Sequence, residues 1–384
     1  MMEFSFVNPT KIIFGQGQIA TIQQEIPTSA KVMIIYGGGS IKQNGIYQQV
    51  VDALSEHQVF EFSGIEPNPS YETAMRAVAQ IKEHNVDYLL AVGGGSVIDG
   101  TKFIAAAAKF EGEPWDILAK AAEVSDALPI GVVLTLPATG SESNSYSVIS
   151  KLDTNDKLPF FSEKVQPKFA VLDAQVTKTL PERQLANGIV DAFVHVMEQY
   201  LTFDHGAKVQ DRFAEGLLHT LIEEGPRVFA EPENMEVREN LMWSATMALN
   251  GLIGAGVPQD WSTHMLGHEI TALYGLDHAQ TLAIVLPRMM HAMRQQKEAK
   301  LLQYAERIWG ISEQDNDTTI NLAIEKTEAF FHSVKMPTRF SDYQLGEEIV
   351  DAIVEQLERH GMTALGENQQ VTLDISRDVL KASL

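Results

Sequence analysis

Cysteine is absent from the 384 residues of this chain. Its absence excludes a thiol nucleophile, a disulfide framework and a metal site built from thiolates. Any metal must therefore be held by nitrogen and oxygen ligands. Histidine is itself scarce, with 11 residues in the chain, so histidines that cluster at regular spacing are candidate ligands.

Positive charge is also in short supply. The chain has 29 Lys and Arg residues against 51 Asp and Glu residues, a formal net charge of −22. Such an acidic surface repels nucleic acid and anionic membranes. No apolar run approaches the ~18 residues of a membrane span, and residues 1–6 lack the basic cluster and apolar segment of a signal peptide. We therefore expect a cytoplasmic protein that binds neither nucleic acid nor membranes.

The first half of the chain alternates strand-like with helix-like patterns. Residues 31–36, 87–92 and 128–136 are short apolar runs typical of buried strands. Strands that alternate with helices indicate a parallel sheet with right-handed crossovers. The helix-compatible stretches in this half are 46–54, 70–81 and 97–109.

The pattern changes after Leu180, where strand signals nearly vanish. Pro181 suits the first turn of a helix, and Gly310 is a suitable residue to end one. We predict an α/β dinucleotide-binding domain over 1–180 and an all-helical metal-binding domain over 181–384, with the active site in the cleft between them. The predicted helical segments are 181–202, 206–223, 234–255, 259–273 and 282–309.

Two of the predicted strands end in the same tetrapeptide, Gly-Gly-Gly-Ser, at residues 37–40 and 93–96. Glycines let the backbone approach a pyrophosphate, and the N-terminus of the following helix offers unpaired N–H groups and a partial positive charge. The alternative is that the glycines only form tight turns. Neither turn matches the usual GxGxxG fingerprint, but two such turns after neighbouring strands favour nucleotide binding.

A third polar segment follows the strand at 128–136. Residues 135–144 (TLPATGSESN) place hydroxyl groups at Thr135, Thr139, Ser141 and Ser143. These groups could bind phosphate or the nicotinamide amide of a cofactor. On composition alone, a polar surface loop is an equally good interpretation.

The choice between cofactors can be argued from a missing carboxylate. NAD enzymes usually place an acidic residue after an early strand, where it binds the ribose 2′-hydroxyl. Residues 37–42 contain no Asp or Glu, but they do contain Ser40 and Lys42. A carboxylate there would repel a 2′-phosphate, whereas Ser40 and Lys42 would accommodate one. The segment therefore favours NADP(H).

The second half contains a set of potential metal ligands. Asp191 and His195 are four residues apart, so they project from one face of a helix, and His264 and His268 repeat that spacing. His278 lies fourteen residues beyond His264. The segment HMLGHE is not HExxH, so the zinc-protease signature is absent. A lone histidine is usually an ordinary polar or core residue, but this set could hold a divalent ion that polarises a carbonyl or acidifies an alcohol.

These motifs together resemble the group III, or iron-containing, alcohol dehydrogenases, which share a fold with glycerol dehydrogenase and dehydroquinate synthase. The order and spacing of the motifs agree with that family over nearly the whole chain. Within the family, the chain resembles the bacterial NADPH-dependent aldehyde reductase and butanol dehydrogenase subgroup, on the basis of GGGS at 37–40 and LDHAQTLAIVLP at 276–287. The motifs that carry the resemblance are GGGS at 93–96 with Asp99 and Lys102, TGSE at 139–142, GIVDA at 188–192 with His195 and Glu198, and HMLGHE at 264–269 with His278.

The resemblance implies roles for particular residues. Its metal ligands are Asp191, His195, His264 and His278, which would hold one divalent ion per subunit, with zinc favoured over iron in this subgroup. His268 would lie just outside the ligands, and Asp99 and Asn144 would lie near the nicotinamide and substrate. The implied cofactor site is lined by Gly38, Ser40, Gly94, Gly95, Ser96, Thr135, Thr139, Ser141, Asn144 and Lys157. Many relatives have His-Gly at the last ligand, whereas this chain has His278-Ala279.

We therefore predict reversible hydride transfer between NADP(H) and small aldehydes or primary alcohols, with His268 and Asp99 as catalytic candidates and a homodimer as the assembly. A polyol dehydrogenase of glycerol type is the nearest alternative. A carbon–oxygen lyase of the dehydroquinate synthase type is less favoured, because it needs a more basic pocket. From other classes, a metallohydrolase with purely structural glycines, or a non-enzymatic metal or nucleotide sensor, would also fit the residues.

Overall fold

The computed structural model describes all 384 residues. They group into two compact units. The α/β unit comprises Val7–Pro181 and Glu233–Met242, and the helical unit comprises Met1–Phe6, Glu182–Pro232 and Trp243–Leu384. A single division near residue 180 therefore misplaces two short segments: the first six residues belong to the helical unit, and the segment from 233 to 242 belongs to the α/β unit.

The α/β unit is built on a six-stranded parallel sheet, so the predicted parallel sheet is confirmed. Its strands are β1 (Lys11–Phe14), β2 (Lys31–Ile35), β3 (Gln58–Phe62), β4 (Tyr88–Gly94), β5 (Ile130–Leu136) and β8 (Phe169–Leu172). They lie side by side in the order β1-β8-β5-β4-β2-β3. Strands β6 (Tyr146–Lys151) and β7 (Asp156–Phe161) form a separate antiparallel hairpin. The helices of the first 181 residues are α1 (Ile22–Glu25), α2 (Ser40–Gln43), α3 (Ile46–Ala53), α4 (Tyr71–His84), α5 (Gly95–Ala107) and α6 (Asp116–Ala119).

Both faces of the central strands are buried, which explains why they read as continuous apolar runs. Met33 and Leu89 pack into one apolar cluster, whereas Val32 and Leu90 pack into another. Alternate residues of a strand point to opposite faces, so β2 and β4 each contribute to two layers of core. Ser70 caps α4 by accepting a hydrogen bond from the Thr73 N–H at 3.1 Å.

The helical unit has its own apolar core, which includes Leu266, Ile284 and Leu357. Helices from residue 182 onward are α7 (Glu182–Tyr200), α8 (Lys208–Ala230), α9 (Met235–Ala248), α10 (Ser262–Tyr274), α11 (His278–Ala292), α12 (Glu298–Trp309), α13 (Asn316–Ser333), α14 (Ile349–Arg359) and α15 (Leu373–Ala382). A two-stranded ribbon, β9 (Ala364–Leu365) with β10 (Val371–Thr372), is the exception to the helical content. None of the helices combines the length and the apolar character that crossing a membrane requires.

One predicted helix is wrong. The segment 282–309 is not continuous, because α11 ends at Ala292 and α12 begins at Glu298. Between them Lys297 is drawn into the interior, where its Nζ donates to the Leu201 carbonyl at 2.7 Å and to Glu367 at 3.1 Å. Periodicity alone could not show this break. Gly310 ends α12 with a φ of 66°.

Candidate active site

Three helices of the helical unit bring the four predicted metal ligands together. Asp191 and His195 lie one turn apart on α7, His264 lies on α10, and His278 is the first residue of α11. Asp191 Oδ1 lies 3.7 Å from His195 Nδ1 and 3.6 Å from His278 Nε2. The ring centroid of His264 lies 4.7 Å from that of His195 and 5.1 Å from that of His278.

This cluster fits a divalent cation. One ligand atom from each of Asp191, His195 and His264 lies within 4.8 Å of the others, and all three residues are buried. His195 Nδ1 and His264 Nε2 have no hydrogen-bond partner, although both atoms are buried. Such orphaned nitrogens are costly unless something binds them. Burial and the neighbouring His264 lower the pKa of His195 well below its usual value, so its imidazole is neutral, as a ligand must be.

Glu198 orients His264, a role that the sequence-based interpretation missed. Its carboxylate accepts hydrogen bonds from the Thr263 N–H at 2.6 Å, from the His264 N–H at 3.2 Å, and from His264 Nδ1. Because a carboxylate can only accept, the proton of His264 lies on Nδ1 and leaves Nε2 available as a ligand. The signal was present in the sequence, since Glu198 follows His195 by three residues and shares its helix face.

The start of α10 is fixed by a buried charge cluster. Asp260 accepts from the Ser262 N–H at 2.8 Å, and its own N–H donates to the Glu198 carbonyl at 2.9 Å. Burial opposes ionisation of Asp260, but Lys297 outweighs it and holds the pKa of this carboxyl below its usual value. Lys297 also donates to Glu367. The cluster thereby secures the helix that carries His264.

His268 lies one turn beyond His264 on α10 and is buried. Its ring centroid is 5.3 Å from that of His278 and 6.3 Å from that of His264. The structure therefore places His268 beside the candidate ligands. Glu269, the next residue, accepts a hydrogen bond from His360 Nδ1 at 2.6 Å and is oriented by that contact.

In the α/β unit, the second glycine turn is shaped by close approach. A Cβ on Gly95 would lie 2.4 Å from Thr139 Cγ2, and a Cβ on Gly94 would lie 2.8 Å from Leu136 Cβ. Only glycine therefore allows the loop after β5 to pack onto the N-terminus of α5. Gly38, in the first turn, faces open space, since a Cβ there would have no neighbour within 4 Å.

A buried lysine organises the loop that contains Thr139, Ser141 and Asn144. Lys102 Nζ donates to Ser141 Oγ at 2.8 Å, to Asn144 Oδ1 at 3.0 Å and to the Tyr146 carbonyl at 2.7 Å. Lys102 is fully buried, and burial lowers its pKa to about 8. The sequence motif contained Lys102 but gave it no role.

Asp99, a catalytic candidate, contacts the same loop. Its Oδ1 accepts from Ser141 Oγ at 2.5 Å, and its Oδ2 accepts from the Val148 N–H at 2.9 Å. Burial raises the pKa of its carboxyl, although Lys102 opposes the shift. The remaining predicted cofactor residues also lie in this unit: Ser40 begins α2, Ser96 lies in the first turn of α5, Thr135 lies near the end of β5, and Lys157 on β7 donates to Asn68 Oδ1 at 2.8 Å.

Residues 37–42 contain no carboxylate, as the sequence shows, but the fold brings one to Lys42. Glu61, on the neighbouring strand β3, accepts a hydrogen bond from Lys42 Nζ at 2.8 Å. Strand pairing delivers this carboxylate from outside the segment 37–42, so inspection of that segment alone could not find it.

Comparison with known proteins places both units in one family. The model of the iron-containing alcohol dehydrogenase family matches residues 9–174, and that of the Fe-containing alcohol dehydrogenase family, C-terminal, matches residues 185–382. The chain is 58% identical to the NADPH-dependent aldehyde reductase YqhD of Escherichia coli (strain K12) over 386 residues, with full coverage of both proteins. It is 42% identical to the probable NADH-dependent butanol dehydrogenase 1 of Bacillus subtilis (strain 168) over 389 residues, again with full coverage.

The solved structure of YqhD from E. coli K-12 superposes with a TM-score of 0.99 at 58% identity, covering 100% of this chain and 99% of that one. The predicted fold class, oxidoreductase class and family resemblance are thereby confirmed. The chain belongs to the iron-containing alcohol dehydrogenase family and is an oxidoreductase of alcohols and aldehydes.

Proposed function

We propose that the chain reduces small aldehydes with NADPH, reversibly, at a divalent metal ion held by Asp191, His195, His264 and His278. The observation that carries this proposal is the buried cluster of Asp191, His195 and His264, in which two imidazole nitrogens lack hydrogen-bond partners. His278 lies beside it, with Nε2 3.6 Å from Asp191 Oδ1. The full-length relative that is 58% identical is named an NADPH-dependent aldehyde reductase, which supports the same cofactor and substrate class here.

When bound, the metal ion supplies a Lewis acid for the carbonyl oxygen, and NADPH supplies the hydride. The protein contributes orientation and charge. Glu198 holds the proton of His264 on Nδ1 and fixes the direction of Nε2. His195 stays neutral in its buried position. We assign His268 to proton transfer, because it is buried beside His278 and an imidazole can both donate and accept a proton.

The cofactor would lie on the α/β unit, where the N-terminus of α5 offers backbone N–H groups to a pyrophosphate. Asp99 we assign to positioning rather than chemistry, since both of its oxygens accept hydrogen bonds from the protein. The proposed cofactor residues are Gly38, Ser40, Gly94, Gly95, Ser96, Thr135, Thr139, Ser141, Asn144 and Lys157.

We further propose zinc as the ion, a cytoplasmic location and a homodimer. Imidazole and carboxylate ligands without thiolate suit both zinc and iron, and the preference for zinc rests on resemblance to the aldehyde reductase subgroup. Elemental analysis of the purified protein decides between the two metals, and light scattering after gel filtration gives the subunit number.

The central test combines metal content with turnover. His264→Ala should lose bound metal and NADPH oxidation with butanal together, because Nε2 of that residue is a ligand in the proposal. His291→Ala provides a control, since His291 is exposed on α11 in the same unit. Wild-type turnover by a protein stripped of metal would contradict the proposal, as would preferred use of NADH over NADPH.

A further inference from the structure

Glu61 collects three hydrogen-bond donors beside the first glycine turn. Its Oε2 accepts from the Tyr36 hydroxyl at 2.8 Å and from Lys42 Nζ at 2.8 Å, and its Oε1 accepts from the Tyr47 hydroxyl. Glu61 lies on β3, the edge strand of the sheet, opposite Ile34 of β2. Parallel pairing therefore carries its carboxylate to the end of β2, where the turn at 37–40 begins. We call these four residues the Glu61 cluster.

The contacts of the Glu61 cluster hold the lysine in place. Lys42 Nζ lies 4.4 Å from the ring centroid of Tyr47 and 5.3 Å from that of Tyr36. Burial opposes ionisation of Glu61, but hydrogen bonds from Lys42 and the two tyrosines lower the pKa of its carboxyl. The hydrogen bond to Glu61 raises the pKa of Lys42. Both groups are thus charged at neutral pH, and together they carry no net charge.

We infer that Glu61 is a specificity-determining residue, which limits the preference for NADPH by cancelling the positive charge of Lys42. The inference rests on the proposed function, because it requires the nucleotide to bind at residues 37–42. NADPH differs from NADH only by a 2′-phosphate. A phosphate near Ser40 and Lys42 is attracted by the ammonium group of Lys42. It is repelled by the carboxylate of Glu61, which lies 2.8 Å from that ammonium group. An uncharged ribose hydroxyl experiences little of either force.

Glu61→Gln isolates the charge, since it preserves the shape of the side chain and one acceptor oxygen. We expect the dissociation constant of NADPH, divided by that of NADH, to fall about fivefold. Titration of metal-loaded protein, followed by the fluorescence of the reduced nicotinamide, measures both constants. High salt should shrink the effect, because the interaction is electrostatic and partly exposed to solvent.

Two further variants complete the experiment. Lys42→Ala should raise the same ratio about fivefold by removing the attraction. An unchanged ratio in Lys42→Ala would overturn the inference even if Glu61→Gln folds poorly, because Glu61 can act only by opposing a lysine that attracts the phosphate. Glu25→Gln is the matched control, because Glu25 also forms an ion pair with a lysine, Lys11, at 2.5 Å in the same unit. Lys11 lies on β1, at the opposite edge of the sheet from β3. That variant should leave the ratio unchanged.

The outcomes separate this inference from the proposed function. If Glu61→Gln binds both cofactors with an unaltered ratio, Glu61 has no part in specificity, and the proposed function stands. A wild-type protein that binds neither cofactor would overturn both. A ratio that rises in Glu61→Gln would show that the carboxylate positions Lys42 instead of opposing it, and would also overturn the inference.

Discussion

The candidate metal centre is assembled from side chains, whereas the second glycine turn of the candidate nucleotide site depends on their absence. At the metal centre, four polar side chains from three helices converge in a buried space. At the second glycine turn, the decisive contacts are those that a Cβ on Gly94 or Gly95 would make. The two arrangements therefore place opposite demands on the sequence.

Because of this difference, a substitution can remove function without disturbing the fold at the metal centre, but not at the second glycine turn. A ligand such as His264 can be truncated while its helix remains, because the helix is held by Glu198, Asp260 and the apolar core. A glycine in a close approach cannot be enlarged without moving the backbone that it allows to pack. Substitutions at the metal centre should therefore change binding, and substitutions at the glycine turn should change stability as well.

Gly95→Ala should be the most damaging change to stability. Its new Cβ would lie 2.4 Å from Thr139 Cγ2 and 3.0 Å from Thr139 Cβ, so rotating the threonine cannot relieve the clash. The loop after β5 must shift, and we expect a loss of about 3 kcal/mol in the free energy of unfolding. Urea denaturation followed by circular dichroism measures it.

Gly38→Ala is the matched control for that experiment, since a Cβ there meets nothing within 4 Å and Gly38 has no positive φ. It should unfold like the wild type yet bind NADPH more weakly, because the methyl group fills space next to the proposed cofactor. If Gly95→Ala and Gly38→Ala unfold with the same free energy, close packing at the second glycine turn does not require glycine at position 95.

The buried lysine of the nucleotide site predicts an unusual pH dependence of stability. Burial lowers the pKa of Lys102 to about 8, against roughly 10.4 in an unfolded chain. Between these values the unfolded chain binds more protons than the folded protein, so the contribution of Lys102 to the free energy of unfolding rises with pH. Between the two pKa values, the contribution of Lys102 to the free energy of unfolding should rise by on the order of 2–3 kcal/mol.

The wild type should therefore gain stability relative to Lys102→Met as the pH is raised from about 8 to 10. Denaturant unfolding of both proteins at several pH values measures the difference, and titrating groups that do not interact with Lys102 cancel in the comparison. Lys109→Met tests the role of burial, because Lys109 is exposed just beyond the same helix. If the free energies of unfolding of wild type and Lys102→Met differ by the same amount at every pH, the pKa of Lys102 is not lowered in the folded protein.

Local spacing explains which parts of both sites could be predicted from the sequence. Asp191 and His195 lie on one helix, so their separation of four residues was enough to place them on the same face. The strands β2 and β4 were predicted because both of their faces are buried. Strand β3 was not, because it lies at the sheet edge and its residues Gln58 and Glu61 are polar and exposed.

Contacts between distant segments could not be predicted in this way. Glu61 reaches Lys42 only through the pairing of β2 with β3. A lysine in an alanine-rich helix suggests an exposed residue, yet Lys102 is fully buried because three acceptors of one loop surround it. Lys297 interrupts a predicted helix for the same kind of reason. Sequence periodicity records which residues share a face, but it does not record what a buried charge will meet.

A smaller effect than those of the Gly95 and Lys102 variants should come from Glu198, which supports the metal centre without being a proposed ligand. Glu198→Gln replaces the acceptor of the His264 Nδ1 proton by an amide, so the imidazole loses its fixed orientation and part of its basicity. We expect metal to bind about 10- to 100-fold more weakly, or about 1.4–2.7 kcal/mol, while the fold is retained. Competition with a chelator measures this affinity directly. Glu306→Gln, on the exposed side of α12, provides the matched control. If Glu198→Gln keeps wild-type affinity, the orientation of His264 is set by α10 alone, and the metal centre does not depend on the carboxylate of Glu198.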